Sequence, residues 1–468
     1  MSDNPEKKAR QFPHIYVVLF SIIILAALLT YVIPANVYDF ALDKDGKATR
    51  LINPETYHSV PQSPVNPWAM MIAVPRGMAA AADVIFFLFL IGGSFNILNA
   101  TGAVEKGVKS LALSMRGKEG ALVFGLVALF SFAGASFGMA EEALVFIPML
   151  VPLALALGFD SMTGLAIALA GPCAGFTVAF LNAFTEGVAQ KVVGLPLFSG
   201  MTERIVMYVI TASTAATFIF LYAKRVQKNP QSSLVYEIDQ QRELMVIDEG
   251  VKLSTRDKLV LSTMVLAIAA LIYGVTKFGW YFQELAAVFL TMGVVAGFIG
   301  GLSPNKIAKA FEEGTLTLTM GALIVGFART VLVVLQDGSI LHTIVHAMGT
   351  VVQGLPPALS AIGMLIVQTI ISVVIPSGSG MAYVTMPIMG PLATLLGITQ
   401  QTAVLVYQFA DGFTNIIIPT SGYLLAACSL AKIPYEKWVK WYTPLFLIFF
   451  GLGIIFTLYA QFTKFGPF

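Results

Sequence analysis

The chain has 468 residues, of which 57% are hydrophobic and 12% charged, and its mean hydropathy is +0.81. An ordinary globular chain is about one-quarter charged, so this composition excludes a soluble protein of this size. A formal net charge of +2 gives no bias toward nucleic acid, and the apolar runs lack the alternation of a membrane β-barrel, which excludes that class too.

The N-terminal MSDNPEKKARQ is basic and is followed by an apolar run, Tyr16 to Ile33. The run is too long for a cleaved signal peptide, so it reads as a retained first span. Positive residues cluster at Lys7, Lys8 and Arg10, at Arg116 and Lys118, at Lys224, Arg225 and Lys228, at Lys306 and Lys309, and at Lys432, Lys437 and Lys440. The positive-inside rule puts all five clusters in the cytoplasm. The loop Pro34–Trp68 then lies outside and holds a small hairpin, and a span of about Ala79–Ala100 returns.

Next come Ala121–Ala135 and Ala143–Leu157, each short for a crossing, joined by GASFGMAEE. They read as a re-entrant hairpin at about 120–157, and an interrupted helix at about 161–193 and a span at Ile205–Tyr222 follow. Non-helical backbone at membrane depth persists only where protein or a wet cavity satisfies it, so the tip belongs at a site. A polar connector, 224–258, divides a first repeat (1–223) from the rest of the chain (259–468). The second part has spans at Leu259–Tyr273, Leu285–Ile299 and Leu316–Leu335. It goes on to a second hairpin at about 355–397 with the tip IPSGSG, an interrupted helix at about 400–430, and a last span at Tyr442–Tyr459.

The two halves match in order. Pro148 and Pro152 precede Gly158 as Pro387 and Pro391 precede Gly397, and Gly-Phe-Thr recurs at 175–177 and 412–414. By the charge rule the first hairpin opens from the cytoplasm and the second from outside. The fold class is therefore an all-α polytopic membrane protein of inverted repeats, with two re-entrant hairpins and two interrupted transmembrane helices. That is a signature of secondary transporters, whose sites lie near the midplane. An intramembrane hydrolase built on Pro-Ser-Gly-Ser-Gly lacks a buried histidine and the strand context such a turn needs. A channel fits paired broken elements less well than alternating access does.

An ionisable residue inside a span costs about 2.5–3.5 kcal/mol on insertion scales and so has a role or a partner. The candidates are Asp83, Glu141, Glu142, Glu186, Arg329 and Asp411. One of Glu141 and Glu142 faces the site while the other pairs or caps the second arm, and Glu186 or Asp411 either touches the substrate or neutralises Arg329. The substrate-binding set is Ser136, Glu141, Glu142, Asn182, Glu186, Ser377, Ser379, Asp411, Thr420 and Ser421. A cation set of Ser136, Thr177, Asn182, Thr185, Ser377, Thr414 and Asn415 offers hard oxygen ligands suited to Na⁺. No cofactor is expected, only Na⁺ or H⁺ as coupling ion. Both cysteines, Cys173 and Cys428, fall in apolar runs, and His342 and His346 read as interfacial rather than metal-binding.

FGMAEE, GFTVAFLNAFTEGVAQ, IPSGSGMAYVTMPIMGPLA, YQFADGFTNIIIPTSGYLLAA and YEKWVKWYTPLF resemble the YfcC-like transporters of the four-carbon-dicarboxylate anaerobic carrier family, in the ion transporter superfamily. The resemblance spans nearly the whole chain. It implies a bacterial inner-membrane homodimer in which a transport domain moves against a scaffold by an elevator mechanism. Members are described as dicarboxylate carriers or basic amino acid antiporters. One arginine, Arg329, against at least four carboxylates favours an amino acid, basic in its side chain, with a C4-dicarboxylate as the alternative.

Overall fold

The computed structural model describes residues 15–466 except 43–47, 116, 183, 243–251, 279, 281 and 353. Lys7, Lys8, Arg10, Arg116 and part of the expected connector lie outside the described residues. Helix α1 (Ile15–Val32) leads into four short strands, β1 (Asn36–Val37), β2 (Phe40–Leu42), β3 (Ala48–Ile52) and β4 (His58–Ser59). β1 pairs antiparallel with β4, Asn36 opposite Ser59, and β2 pairs with β3, Phe40 opposite Ile52. The hairpin expected in this loop is present.

Asn66 starts α2 (Pro67–Ala80) by accepting the Ala69 N–H, with proline at the first helical position. This helix begins inside what reads from sequence as an outer loop, and it precedes α3 (Ala82–Ala100), which fills the span expected at 79–100. α2 and α3 meet at an angle of 52°, and Asp83, the second residue of α3, lies at the bend. Then come α4 (Ala103–Ser114), α5 (Glu119–Phe137), a 3₁₀ turn at Glu141–Phe146, α6 (Ile147–Ala156), α7 (Ser161–Phe176), α8 (Glu186–Val192) and α9 (Met201–Lys228). The described part of the connector holds a 3₁₀ turn, Pro230–Ser232, and a short helix, α10 (Tyr236–Gln240). α11 (Thr255–Phe278), α12 (Phe282–Ile299), α13 (Pro304–Asp337), α14 (Leu341–Val351), α15 (Pro357–Val374), α16 (Gly378–Leu395), α17 (Gln400–Thr414), α18 (Gly422–Leu430) and α19 (Tyr435–Phe462) complete the chain.

The matched sequence features become matched geometry. Gly158 and Gly397 take left-handed φ values of 78° and 71°, the conformation in which a helix stops and which costs an L side chain about 1–2 kcal/mol. Two residues on, Asp160 and Thr399 cap the next helix by accepting the N–H of Thr163 and Thr402. α5 and α6 both pack on α7, and α15 and α16 both pack on α17. α7 and α17 are buried along almost their whole length and form the centre of the molecule. The arms of the first tip are unequal. α5 has 19 residues, about 28 Å at helical rise, longer than the short arm read from sequence. Small residues let α5 and α7 approach to backbone contact, for a Cβ on Gly134 would fall 2.1 Å from the Pro172 carbonyl oxygen.

Among the described residues five helices are long and apolar enough to cross a membrane: α5, α9, α13, α15 and α19, with the bent α2–α3 pair a sixth. The short helices α4 and α14, which precede the two hairpins, are absent from the sequence reading. Neither is long enough to register as a span.

Candidate functional site

Both helix breaks and both hairpin tips converge on one cavity of about 450 Å³. The first tip contributes Gly138 to Glu142, and the first break contributes Phe176, Phe184 and Thr185. From the other half come Pro376 to Ser379 of the second tip, with Asn415, Thr420 and Ser421 of the second break. The α2–α3 bend adds Asp83, and α13 adds Arg329.

The breaks arise locally. α7 ends where Thr177 turns its hydroxyl back to the Cys173 carbonyl, at 2.7 Å. Asn182 then accepts the N–H groups of Phe184 and Thr185 on its side-chain oxygen, at 2.9 and 3.2 Å, and turns the chain into α8. In the other half Asn415 donates to the Asp411 carboxylate at 2.8 Å, and Ser421 starts α18 by accepting the Leu424 N–H. The second tip is held by the Tyr407 hydroxyl, which donates to the Gly378 carbonyl at 2.6 Å. Gly378 has no room for a side chain, since a Cβ there would stand 2.4 Å from Thr185 Cγ2 and 2.8 Å from Asp411 Oδ2.

Of the expected residues, Glu141, Glu142, Thr185, Ser377, Ser379, Asn415, Thr420 and Ser421 line the cavity. Glu141 and Glu142 open a 3₁₀ turn rather than an α-helix, so successive side chains point about 120° apart, not 100°. The Glu142 carboxylate accepts the Ala140 N–H at 3.0 Å. Asp411 lies directly behind Gly378, fully buried, with Oδ2 lacking a hydrogen-bond partner.

Ser136, Thr177, Asn182, Glu186 and Thr414 do not line the cavity. Ser136 donates to the Phe132 carbonyl at 2.6 Å. Glu186 is fully buried against Arg204, Oε1 to Nε 3.2 Å, and accepts from Gln190 at 3.1 Å. The expected pairing of Glu186 or Asp411 with Arg329 is thus corrected: Glu186 pairs with Arg204 and Asp411 bonds to Asn415. Among the described residues Arg329 has no ion-pair partner within 4 Å. Arg204 escaped the sequence reading because Met201-Thr-Glu-Arg reads as the polar rim of a span. Its burial depends on Glu186, which the sequence does not place beside it. The balance of charge changes accordingly: with Glu186 neutralised, Asp83, Glu141 and Glu142 face Arg329 across the cavity, and Asp411 stands behind.

A family model for C4-dicarboxylate anaerobic carriers matches residues 12–462. The chain belongs to that family. This carrier is 32% identical, over 96% of both chains, to YfcC of Escherichia coli, provisionally named a basic amino acid antiporter. It is 31% identical to an uncharacterised protein of Haemophilus influenzae, over 95% of the carrier and 96% of that protein. Two solved structures align at lower similarity. The YdaH transporter of Alcanivorax borkumensis gives a TM-score of 0.46 at 16% identity, covering 97% of the carrier and 100% of that chain. MtrF of Neisseria gonorrhoeae, described as illuminating a class of antimetabolite efflux pumps, gives 0.42 at 17%, covering 97% and 96%. The carrier is a multi-pass membrane protein and a secondary transporter, and the relatives that carry a described activity move solutes rather than catalyse reactions.

Proposed function

We propose that the cavity binds an amino acid with a basic side chain and that the carrier moves it by uptake or exchange across a bacterial inner membrane. The observation that carries this reading is the excess of carboxylates over the single guanidinium in the cavity wall. Arg329, without an ion-pair partner among the described residues, takes the substrate α-carboxylate, a geometry guanidinium serves well. Glu141 and Glu142 at the first tip take the α-amino group and the side-chain cation. A buried acidic surplus is costly unless a cation completes it. The description of YfcC supports the same substrate class.

In this reading the two halves are inverted repeats, the hairpins are re-entrant, and a homodimeric scaffold supports an elevator movement of the remaining helices. The coupling ion, Na⁺ or H⁺, sits where Thr185 Oγ1, Thr414 Oγ1, Asn415 Oδ1 and Asp411 Oδ2 are buried without protein partners. Ser136 and Thr177 donate their hydroxyl hydrogens to backbone carbonyls and keep oxygen lone pairs, and Asn182 Oδ1 accepts two backbone N–H groups while its Nδ2 is unpartnered. None of the three lines the cavity, so this reading gives the ion first to the orphaned oxygens. A second reading keeps the C4-dicarboxylate of the family description, with Arg329 as anchor.

Counterflow in proteoliposomes with labelled basic amino acids, neutral amino acids and C4-dicarboxylates separates the two. Either Glu141→Gln or Glu142→Gln is expected to lose basic substrates at least about tenfold more than neutral ones, well within the 3–5 kcal/mol of a broken buried pair. Arg329→Gln is expected to lose both classes. Dicarboxylate transport that survives both glutamate changes and disappears with Arg329→Gln would replace this reading with the second.

A further inference from the structure

Arg204 is the fourth residue of α9, fully buried, and it reaches both ends of the first helix break. Its Nη1 donates to the carbonyl of Ala179 at 3.2 Å, just past the end of α7. Its Nε stands 3.2 Å from Glu186 Oε1, at the first residue of α8. Between those anchors lie Phe184 and Thr185, which line the cavity, whereas Arg204 and Glu186 do not. Gln190 extends the anchor: its amide donates to Glu186 and to the Ser199 carbonyl, and its oxygen accepts the Phe198 N–H at 2.5 Å.

The second break is held from the equivalent place by neutral groups. Trp438, the fourth residue of α19, donates from Nε1 to the Ile416 carbonyl at 2.7 Å. The Tyr435 hydroxyl donates to the Ile417 carbonyl at 2.6 Å, and that of Tyr442 to the Phe413 carbonyl at 3.0 Å. Each long helix that follows a broken one thus supplies donors to carbonyls the break has freed. Only the first half does so with a charged group, and that group brings its own counter-ion from the far side of the break. The pair spans the break from the Ala179 carbonyl to the Glu186 carboxylate.

We propose that Arg204 and Glu186 are a positioning pair for transport: the guanidinium ties the two ends of the first break and so sets Phe184 and Thr185 in the cavity wall, with no contact to substrate. The proposal rests on the reading that this cavity holds the transported molecule. A residue that acts by placing the wall changes affinity for every occupant, whereas a residue that reads substrate charge changes it selectively.

The test uses the full-length protein in proteoliposomes, with Glu186→Gln and the double variant Glu186→Gln/Arg204→Gln. The double variant removes both charges and leaves no lone buried ion, which protects the test against a variant that fails to fold. KM for labelled basic and neutral amino acids is expected to rise by the same factor, about tenfold. The maximal rate per folded protein is expected to hold. A rise confined to basic substrates overturns the proposal and makes Glu186 a ligand. Unchanged KM with a lowered melting temperature also overturns it, leaving a pair that only supports the fold. A second arm needs no substrate. With Cys173 and Cys428 replaced by alanine and Phe184 by cysteine, maleimide labelling of that cysteine is expected to change severalfold when Glu186→Gln is added. An unchanged labelling rate overturns the proposal, while a changed rate in a protein that moves no amino acid overturns the substrate reading alone.

Discussion

A Cβ on Gly412 would stand 2.5 Å from the Cα of Thr177, where the ends of α7 and α17 cross beside the cavity. Backbone cannot yield as a side-chain end can, so Gly412→Ala must push the two helices apart. Overpacking of this kind typically costs about 1–3 kcal/mol. Thermal unfolding of the purified protein is expected to show a lower melting temperature for Gly412→Ala. Gly125→Ala on α5 is the control, since nothing stands within 4 Å of its Cβ, and it is expected to leave stability unchanged or slightly raised. Equal melting temperatures for the two variants would contradict this account of the crossing. Residues that break an apolar pattern were legible from sequence, and for that reason Glu141, Glu142, Ser377 and Thr420 were found. Arg204 was not, because a charged residue near the end of a span reads as solvated until its partner is known.

Two histidines on α14 fasten the short strands that follow α1. His342 Nδ1 accepts the backbone N–H of Tyr38 at 3.0 Å, and His346 Nδ1 bonds to the Tyr38 hydroxyl at 2.6 Å, its ring stacked on Tyr57. Among the described residues Tyr38 is the titratable group whose ring packs on His342, and the Tyr38 ring meets Tyr57 and His346 in turn. A nitrogen that accepts must be unprotonated, and burial lowers the His342 pKa below its ordinary 6.5. The folded form favours neutral imidazole, so this contribution is fully present above that ordinary value and is lost as pH falls through the lowered one. Hydrogen exchange at Asn36–Val37 and His58–Ser59 is expected to accelerate in that acid window. His342→Gln keeps an acceptor oxygen that does not titrate, and the acceleration is expected to vanish with it. The same acid response in that variant would assign the effect elsewhere. Sequence placed a hairpin in the loop after α1, and the strands are there, yet it said nothing of their meeting the histidines of α14, because pairing between segments so far apart in the chain leaves no local pattern. The breaks were legible for the opposite reason: Pro, Gly and a following cap act within a single turn.

The connector does more than separate the halves. Asp239 accepts the Ser161 N–H at 2.8 Å at the start of α7 and pairs with Arg242 at 2.8 Å. Arg242 in turn donates to the Ala431 carbonyl at 2.5 Å, at the end of α18. Asp160 receives the Tyr222 hydroxyl and that of Ser233, at 2.6 and 2.7 Å. One short helix thus bridges the two broken helices at one end of the molecule. In the double variant Asp239→Asn/Arg242→Gln, tryptic cleavage within 224–258 is expected to speed up severalfold in inverted vesicles and to stay absent in right-side-out ones. Cleavage at the wild-type rate would deny the bridge, and cleavage in right-side-out vesicles would reverse the orientation.

The closeness of Gly378 to Thr185 and Asp411 reaches beyond packing. Alanine at 378 requires the Thr185 methyl group and the Asp411 carboxylate to move aside, and serine at 185 would remove the nearer of the two obstacles. What position 378 can carry is therefore set by positions 185 and 411, so a change on one side of the tip of α16 asks for a matching change on the other.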